Sequence, residues 1–448
     1  MSIRRWILIS AVLVMINGIS AFYGYNHINN GAVGGMNFNT PLEEWQARLA
    51  GGDSGYYLGV GMNYAAGLGI TEPCRGCDPA TLRPAVLWGP GGPWVIGVVL
   101  RLTHAKTILP YFIFIILSQF FVTVVMVSTL ALYSKDIRAI LLGAVFSSVC
   151  LPLLDFYYSA YLTLVEPISF IPYSLALFAL AKGMLAIWNS SEKWIKAGIW
   201  FFAAGIFIGL ASLVRSSIGH FSIFVAAMVI LLAVIRMRKR IWVAVICGLL
   251  LVIGTQAMRQ PVKYWNKHRA GIAEVAMTDN SLWRHVIWSK TDSVNWYYTS
   301  GIGLGHTLDP EAASRVEKAF ADGHGTPWMS FKELMIAVIK NPLKALDFKI
   351  KRLPVLFLGT VEWPNSTLSL ISGWCIAFYL LLFTYLILCV IKKTWPAEIL
   401  YLYFCFLLAS SVLIHFEFRY SFPCWLTLNL VPGYLFALIF PLKSSADQ

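Results

Sequence analysis

The chain has 448 residues, of which 58% are hydrophobic and only 13% charged, and its mean hydropathy is +0.67. Soluble domains average about 45–50% apolar and about 25% charged residues, so this composition excludes a soluble globular enzyme and indicates a polytopic membrane protein. The formal net charge of +13 is read as Lys and Arg retained in loops on one side of a bilayer, not as a nucleic-acid footprint.

A membrane-crossing helix needs about 20 mainly apolar residues. Stretches of that kind run over residues 6–23, 108–133, 138–154, 163–187, 197–214, 217–235, 241–257, 367–391, 397–414 and 420–441. Arg4 and Arg5 precede the first, and no convincing small-x-small cleavage site follows it, so an uncleaved anchor is expected. Residues 90–103, PGGPWVIGVVLRLT, are apolar but short and are interrupted by Pro and Gly at their start. The positive-inside rule decides how they are read. Arg4, Arg5, Lys135, Arg138, Lys193, Lys196, the RMRKR cluster 236–240, Lys392, Lys393 and Lys443 all fall on the inner side only if 90–103 does not cross. The expected fold is therefore all-α, with about ten spans, both termini inside, and a juxtamembrane helix at 90–103. The chain divides into an N-terminal transmembrane module (1–257) with a first outer loop (24–107), a large outer loop (258–366), and C-terminal spans (367–448).

The large outer loop reads as structured. Asp309-Pro310 followed by EAASRVEKAFADG has an N-cap, a proline at the first helical position and a glycine stop. Ser330-x-x-Glu333 predicts a capping box that opens a second helix. After Asn341-Pro342, Leu343, Leu346, Ile350 and Leu353 share one face opposite lysines, the pattern of an interfacial amphipathic helix.

Cys150, Cys247, Cys375, Cys389, Cys405 and Cys424 lie in or beside apolar stretches, where Cys behaves as a small hydrophobe. Cys74-Arg75-Gly76-Cys77 stands apart. A single CxxC supplies only part of a zinc ligand set, so the pair is a local disulfide, two thiols, or half of a metal site.

Charge inside a membrane is costly and tends to mark function. The centres of the expected spans lack it, and the polar residues gather at one end, on the outer side. They are Asp53, Arg83, Lys106, Asp155, Glu166, Arg215, His220, Arg259, Lys263, Glu362, His415, Glu417 and Arg419. A polar region there suits an amphiphile with its tail in the bilayer and an anionic head at the surface. Arginine grips phosphate bidentately, and a carboxylate can take a proton from an acceptor hydroxyl. Transporters place polar groups and broken helices near the midplane, often in inverted repeats, and neither pattern is evident. Structural roles compete at each position. Asp53 could cap a helix beginning at Ser54, and Glu166 before Pro167 could favour a helix dipole. Arg215 could snorkel to headgroups, and Arg419 could pair with Glu417. The common sidedness favours a site.

Several segments together, GGDSGYYLGVGMNYAAGLG, RPAVLWGPGGPWVIGVVLRL, LTLVEPISFIPYSLALFALAK, GLASLVRSSIG, KNPLKALDFKIKRLP and HFEFRYSFPCWLTLNLVPGYLFALI, resemble the GT-C superfamily of polyprenyl-phosphate-sugar-dependent glycosyltransferases. That group includes protein O-mannosyltransferases and lipid A aminoarabinose transferases. The resemblance implies that Asp53 is the catalytic base and that Glu166 is the acid opening the "EP" span. It places Arg83 near the site, and Arg419 with Tyr420 at the donor phosphate. Arg215 is expected to assist, with Tyr57 shaping the pocket beside Tyr56. Many members have an acidic pair in the first loop where this chain has Asp53-Ser54, and some bind a divalent metal; a metal is a possible cofactor without an evident ligand set. The expected partners are a polyprenyl-phosphate sugar donor, a glycan, lipid or protein acceptor, and the bilayer. The expected location is the plasma (inner) membrane with the site facing outward. A diphosphate-lipid-dependent glycan ligase or polymerase, a lipid-linked sugar flippase and a membrane scaffold are the alternatives.

Overall fold

The computed structural model describes residues 3–31, 35–49, 53–73, 78, 81–150, 166–189, 194–215, 218–219, 221–236, 241–272, 274–276, 288, 304–358, 370–392 and 422–440. Among these, helices and turns account for the fold; β-pairing is limited to isolated bridges. The helices are α1 (Ile3–Asn29), α2 (Leu42–Arg48), α3 (Asp53–Ala65), α4 (Gly91–Thr103), α5 (Leu109–Tyr133), α6 (Ile137–Ser148), α7 (Glu166–Asn189), α8 (Trp194–Val214) and α9 (Phe221–Arg236). They continue with α10 (Ile241–Ala270), α11 (Leu304–Leu308), α12 (Pro310–Ala321), α13 (Pro327–Lys340), α14 (Pro342–Leu358), α15 (Leu370–Lys392), α16 (Phe422–Leu428) and α17 (Val431–Ile439). Two compact units result. One comprises Met1–Ala276, Leu381–Leu402 and Leu426–Gln448, the other Met277–Leu380 and Tyr403–Trp425.

Among the described residues, 6 helices are long and apolar enough to cross a membrane: Ile7–Asn29, Leu109–Tyr133, Pro167–Ile187, Trp194–Val214, Ile241–Ala270 and Ser372–Lys392. The segment read as juxtamembrane forms α4, whose 13 residues reach only about 20 Å at ~1.5 Å each, short of the ~30 Å hydrocarbon core. The expected span 138–154 is helical only over Ile137–Ser148 in its described part, and 397–414 lies outside the described residues.

The last expected span, 420–441, is not one helix. α16 stops at Leu428 and α17 begins at Val431, with Leu430 N–H closing a turn on the Thr427 carbonyl at 3.0 Å. Pro432 causes the break, because it lacks an N–H and its ring clashes with the carbonyl four residues back. Asn429 sits at the break, 1% exposed, and neither amide atom of its side chain has a hydrogen-bond partner among the described residues.

In the first unit the helices meet through small residues. Lipid tails are as apolar as leucine, so association depends on close backbone approach. Gly205 of α8 lies against Leu251 of α10, where an added Cβ would come within 2.9 Å of the Leu251 carbonyl carbon. A Cβ on Gly254 would meet the Phe202 oxygen at 2.5 Å. Thr255 fastens this seam by donating to the Gly205 carbonyl at 3.1 Å as well as to Leu251 at 3.0 Å. Asn17 of α1 donates to Ser148 Oγ at 3.0 Å, which joins α1 to α6 through a buried polar contact.

The two ends of this unit differ in character. At one, Arg138 lies 5.1 Å from the Phe436 ring, and Lys392 donates to the Leu438 carbonyl at 2.7 Å. At the other, Phe38 packs between Tyr25 at the end of α1 and Phe112 at the start of α5. Leu42 N–H there bonds the Lys106 carbonyl at 3.1 Å. The 25 residues of α5 separate the ends by about 37 Å. Arg138 and Lys392 therefore share an end, and Phe38, Leu42 and Lys106 belong to the opposite one.

The second unit has its own core of Trp288, Leu304, Leu308, Ala312, Ala313, Val316, Leu334, Ala337, Ala345 and Phe348. Asp309 caps α12 by accepting from Ala312 N–H at 2.9 Å, and Gly323 ends it at φ 77°, as the sequence predicts. The expected Ser330–Glu333 capping box is displaced. α13 starts at Pro327, capped by Thr326 Oγ1, which accepts from Met329 N–H at 3.1 Å. Ser330 is buried instead and accepts from Trp288 Nε1 at 2.7 Å, while Glu333 pairs with Arg315 at 3.0 Å. Proline at the first helical position costs no hydrogen bond, so the helix gains a turn by starting there.

Candidate active site

Asp53 opens α3 as its first residue, one position earlier than a Ser54 start would place it, and is half-buried. A carboxylate in a first helical turn is stabilised by the exposed amides and the dipole. The rest of α3 explains why the first loop is rich in glycine. Gly59, Gly61 and Gly97 sit where chains touch: a Cβ on Gly97 would lie 2.6 Å from the Gly61 carbonyl oxygen and 2.8 Å from the Tyr64 ring. Thus α3 and α4 cross backbone to backbone. Trp94 of α4 adds a hydrogen bond from Nε1 to the Tyr64 hydroxyl at 3.1 Å.

A strap follows α3. Gly67 and Gly69 take positive φ, 86° and 76°, and turn the chain back. Asn63 Nδ2 holds the turn through the Thr71 hydroxyl at 3.2 Å and the Glu72 carbonyl at 3.0 Å. Glu72 N–H then bonds the Arg83 carbonyl at 2.9 Å, and Ala85 N–H the Ile70 carbonyl at 3.0 Å. Arg83 is thereby fixed at the backbone with its side chain exposed. Burial and the nearby Glu72 carboxylate push the Tyr56 phenol up to about 12, against the pull of the Leu87 backbone.

Tyr57, one turn beyond Asp53, is 5% exposed, and its ring packs 6.2 Å from both Tyr56 and Trp88. It packs beneath the turn that carries Asp53. From Trp88 the chain runs through Gly89 and Gly91, which press on the end of α8. A Cβ on either would come within 3.0 Å of the Leu213 carbonyl carbon. Arg215 lies two residues on, half-buried, its N–H closing the last turn of α8 on Ala211 at 2.9 Å. Ile218 N–H bonds the Arg215 carbonyl at 3.0 Å and brings Gly219 onto Arg259 of α10. Arg259 is 5% exposed. It stands about 27 Å along α10 from Ile241, near the boundary of a ~30 Å core.

Contacts thus run from Tyr57 to Trp88, from Gly89 and Gly91 to Leu213 at the end of α8, and from Gly219 to Arg259 of α10. The side chain of Glu166, which starts α7, and residues Arg419, Tyr420, Asp155, Glu417, Cys74 and Cys77 lie outside the described residues. Among the described residues, no group of three or more His, Cys, Asp and Glu side chains could hold a metal ion. The pairing of Gly219 with Arg259 was not readable from the sequence. Its only trace is a glycine four residues after Arg215, and nothing in that spacing names a partner on another helix.

No family model and no curated protein sequence matches this chain. A solved structure does: the archaeal oligosaccharyltransferase AglB from Archaeoglobus fulgidus, in complex with an inhibitory peptide and a dolichol-phosphate. The similarity covers 96% of this chain at a TM-score of 0.54 and 11% sequence identity. This chain spans 50% of the length of that protein. At that identity the likeness speaks for the fold alone, an all-α fold similar to that of AglB, with 6 helices among the described residues long and apolar enough to cross a membrane.

Proposed function

We propose that this protein is an inverting membrane glycosyltransferase that moves a sugar from a polyprenyl-phosphate donor to an acceptor at the outer face of the plasma membrane. The observation that carries this reading is the half-buried Asp53 turn, built through Tyr57, Trp88 and Gly89 onto the Arg215 end of α8, within a GT-C-like fold. The donor's tail lies in the bilayer and its phosphate lies on arginine. Arg419 beside Tyr420 is the proposed primary contact, with Arg215 and Arg83 assisting. Asp53 takes the proton of the acceptor hydroxyl as that oxygen bonds to the anomeric carbon. The bond from that carbon to the phosphate oxygen breaks with its electron pair, and the lipid phosphate leaves as the anion. Guanidinium groups stabilise the developing charge, so no strong acid is needed for the leaving group. Glu166 is the second carboxylate of the site, and Tyr57 holds the Asp53 turn in place.

AglB was solved with a dolichol-phosphate and a peptide. This supports a lipid-phosphate donor and makes a peptide the first acceptor class to test. The deciding experiment measures sugar transfer from a radiolabelled polyprenyl-phosphate monosaccharide in membranes carrying wild type or Asp53→Asn. Wild type should transfer, and the variant should lose on the order of 10²–10⁴-fold in rate, the range of general-base catalysis, at unchanged thermal stability. Full activity in the variant would refute the base assignment. Failure of wild type on every monophosphate donor would favour a diphosphate-donor ligase, and lipid movement without transfer would favour a flippase.

A further inference from the structure

The second unit exposes an apolar face that spans two consecutive helices. On α13, Trp328, Phe331, Met335 and Ile339 follow one another at helical spacing, and Trp328 and Ile339 are each 71% exposed. On α14, Leu343 (80% exposed), Leu346 and Ile350 continue it. The opposite faces are the ones that build the core, through Ser330, Leu334 and Ala337 on α13 and Ala345 and Phe348 on α14. Single exposed apolar side chains are ordinary, but a run of them along two adjoining helices marks an interaction surface. Asn341 alone separates the two helices, and its side chain ties the joint to the Leu308 carbonyl at 3.4 Å. The two stripes thus belong to one fixed joint. The sequence predicts interfacial character for α14 alone; the uncovered face of α13 emerges only with the fold.

We infer that α13 and α14 together form a blade that inserts into the phospholipid leaflet. The bilayer is the occupant that the surroundings of the face select. Only residues 359–369 separate α14 from α15, the span that continues the chain, so the blade is tethered to the membrane by at most about 40 Å of extended chain. Lys332, Lys340 and Lys344 are exposed on the same two helices and can reach phosphate headgroups while the apolar side chains lie about 5–10 Å deeper. Trp328 stacks on Phe331 with ring centroids 5.8 Å apart, an aromatic pair of the kind that settles at the level of headgroups. This inference concerns how the outer unit is held and stands apart from the assignment of the transferase chemistry.

The test places a photo-crosslinking benzoylphenylalanine at position 328, 343 or, as a control on the hydrophilic side of α12, 315. The full chain is reconstituted in phosphatidylglycerol–phosphatidylcholine vesicles containing radiolabelled phospholipid. Positions 328 and 343 should take on the order of tenfold more lipid label than 315, as an interfacial helix requires. Hydrogen exchange of the α12 amides confirms that each variant retains its fold. Crosslinks from 328 and 343 to a second copy of the chain, or lipid labelling no greater than at 315, would overturn the inference.

Discussion

The guanidinium of Arg259 lies against the Cα of Gly219, so close that an added Cβ would stand 2.5 Å from Cζ and 3.0 Å from Nε. The turn that carries Gly219 begins at Arg215, which couples two arginines at one end of the helical unit. Gly219→Ala should displace the Arg259 side chain or the turn. A cost of about 1–3 kcal/mol is expected for such overpacking, read as a lower thermal midpoint in detergent. Donor affinity should weaken with it, because Arg215 moves with the turn. An unchanged midpoint would show that this contact is not tight in the native protein.

The α3–α4 crossing offers a second test. Gly97→Val would drive a branched side chain into the Gly61 carbonyl and the Tyr64 ring. Separation of the two helices should cost a similar ~1–3 kcal/mol and reduce sugar transfer by displacing the Asp53 turn. Gly18→Ala is the control, because nothing lies within 4 Å of a Cβ at that position. Transfer assays and thermal midpoints on the pair distinguish a local effect from general fragility.

In the second unit, Thr326 and not Ser330 caps α13. Thr326→Ala should cost about 0.5–2 kcal/mol, seen as faster hydrogen exchange in the first turn of α13. Ser330→Ala should act elsewhere, by leaving Trp288 Nε1 without its 2.7 Å acceptor in the core. Glu333→Ala should do little, since solvent screens its pair with the exposed Arg315. Equal exchange rates in wild type and Thr326→Ala would refute the cap.

Tyr56 should remain a neutral phenol well into alkali, because burial and Glu72 raise it to about 12. The folded protein then holds this proton between pH 10 and about 12, where an unfolded tyrosine has lost it. Stability from this residue is thus fully present below pH 10 and is lost as pH rises through about 12. Tyrosinate absorbance in wild type minus Tyr56→Phe should rise above pH 11. A difference signal centred near pH 10 would mean that the phenol is open to water.

Much of the architecture was legible because membrane segments obey strong one-dimensional rules. The spans at α1, α5, α7, α8, α10 and α15 follow from apolar length, since a bilayer admits a helix there and little else. The count of positive charges keeps 90–103 from crossing the membrane, and α4, at 13 residues, falls short of a span. The errors share a cause. The capping box at Ser330 and the continuous helix at 420–441 were both judged from local pattern. A proline at Pro327 and another at Pro432 moved the true boundaries. Hydropathy averages over such single residues, whereas the backbone hydrogen-bond ladder does not.

The sequence by itself determined the helical class of this protein and its apolar segments long enough to cross a membrane, and it singled out Asp53 as the carboxylate to test. These depend on composition, period and charge count, which are properties of the chain read in order. Only the tertiary structure decided that Tyr57 is buried against Trp88, that Gly219 faces Arg259, and that Gly89 presses on Leu213 at the end of α8. Those contacts join positions far apart in the sequence through the shapes of glycine surfaces. Shape complementarity at that range leaves no periodic signal, because it exists only once the helices have packed.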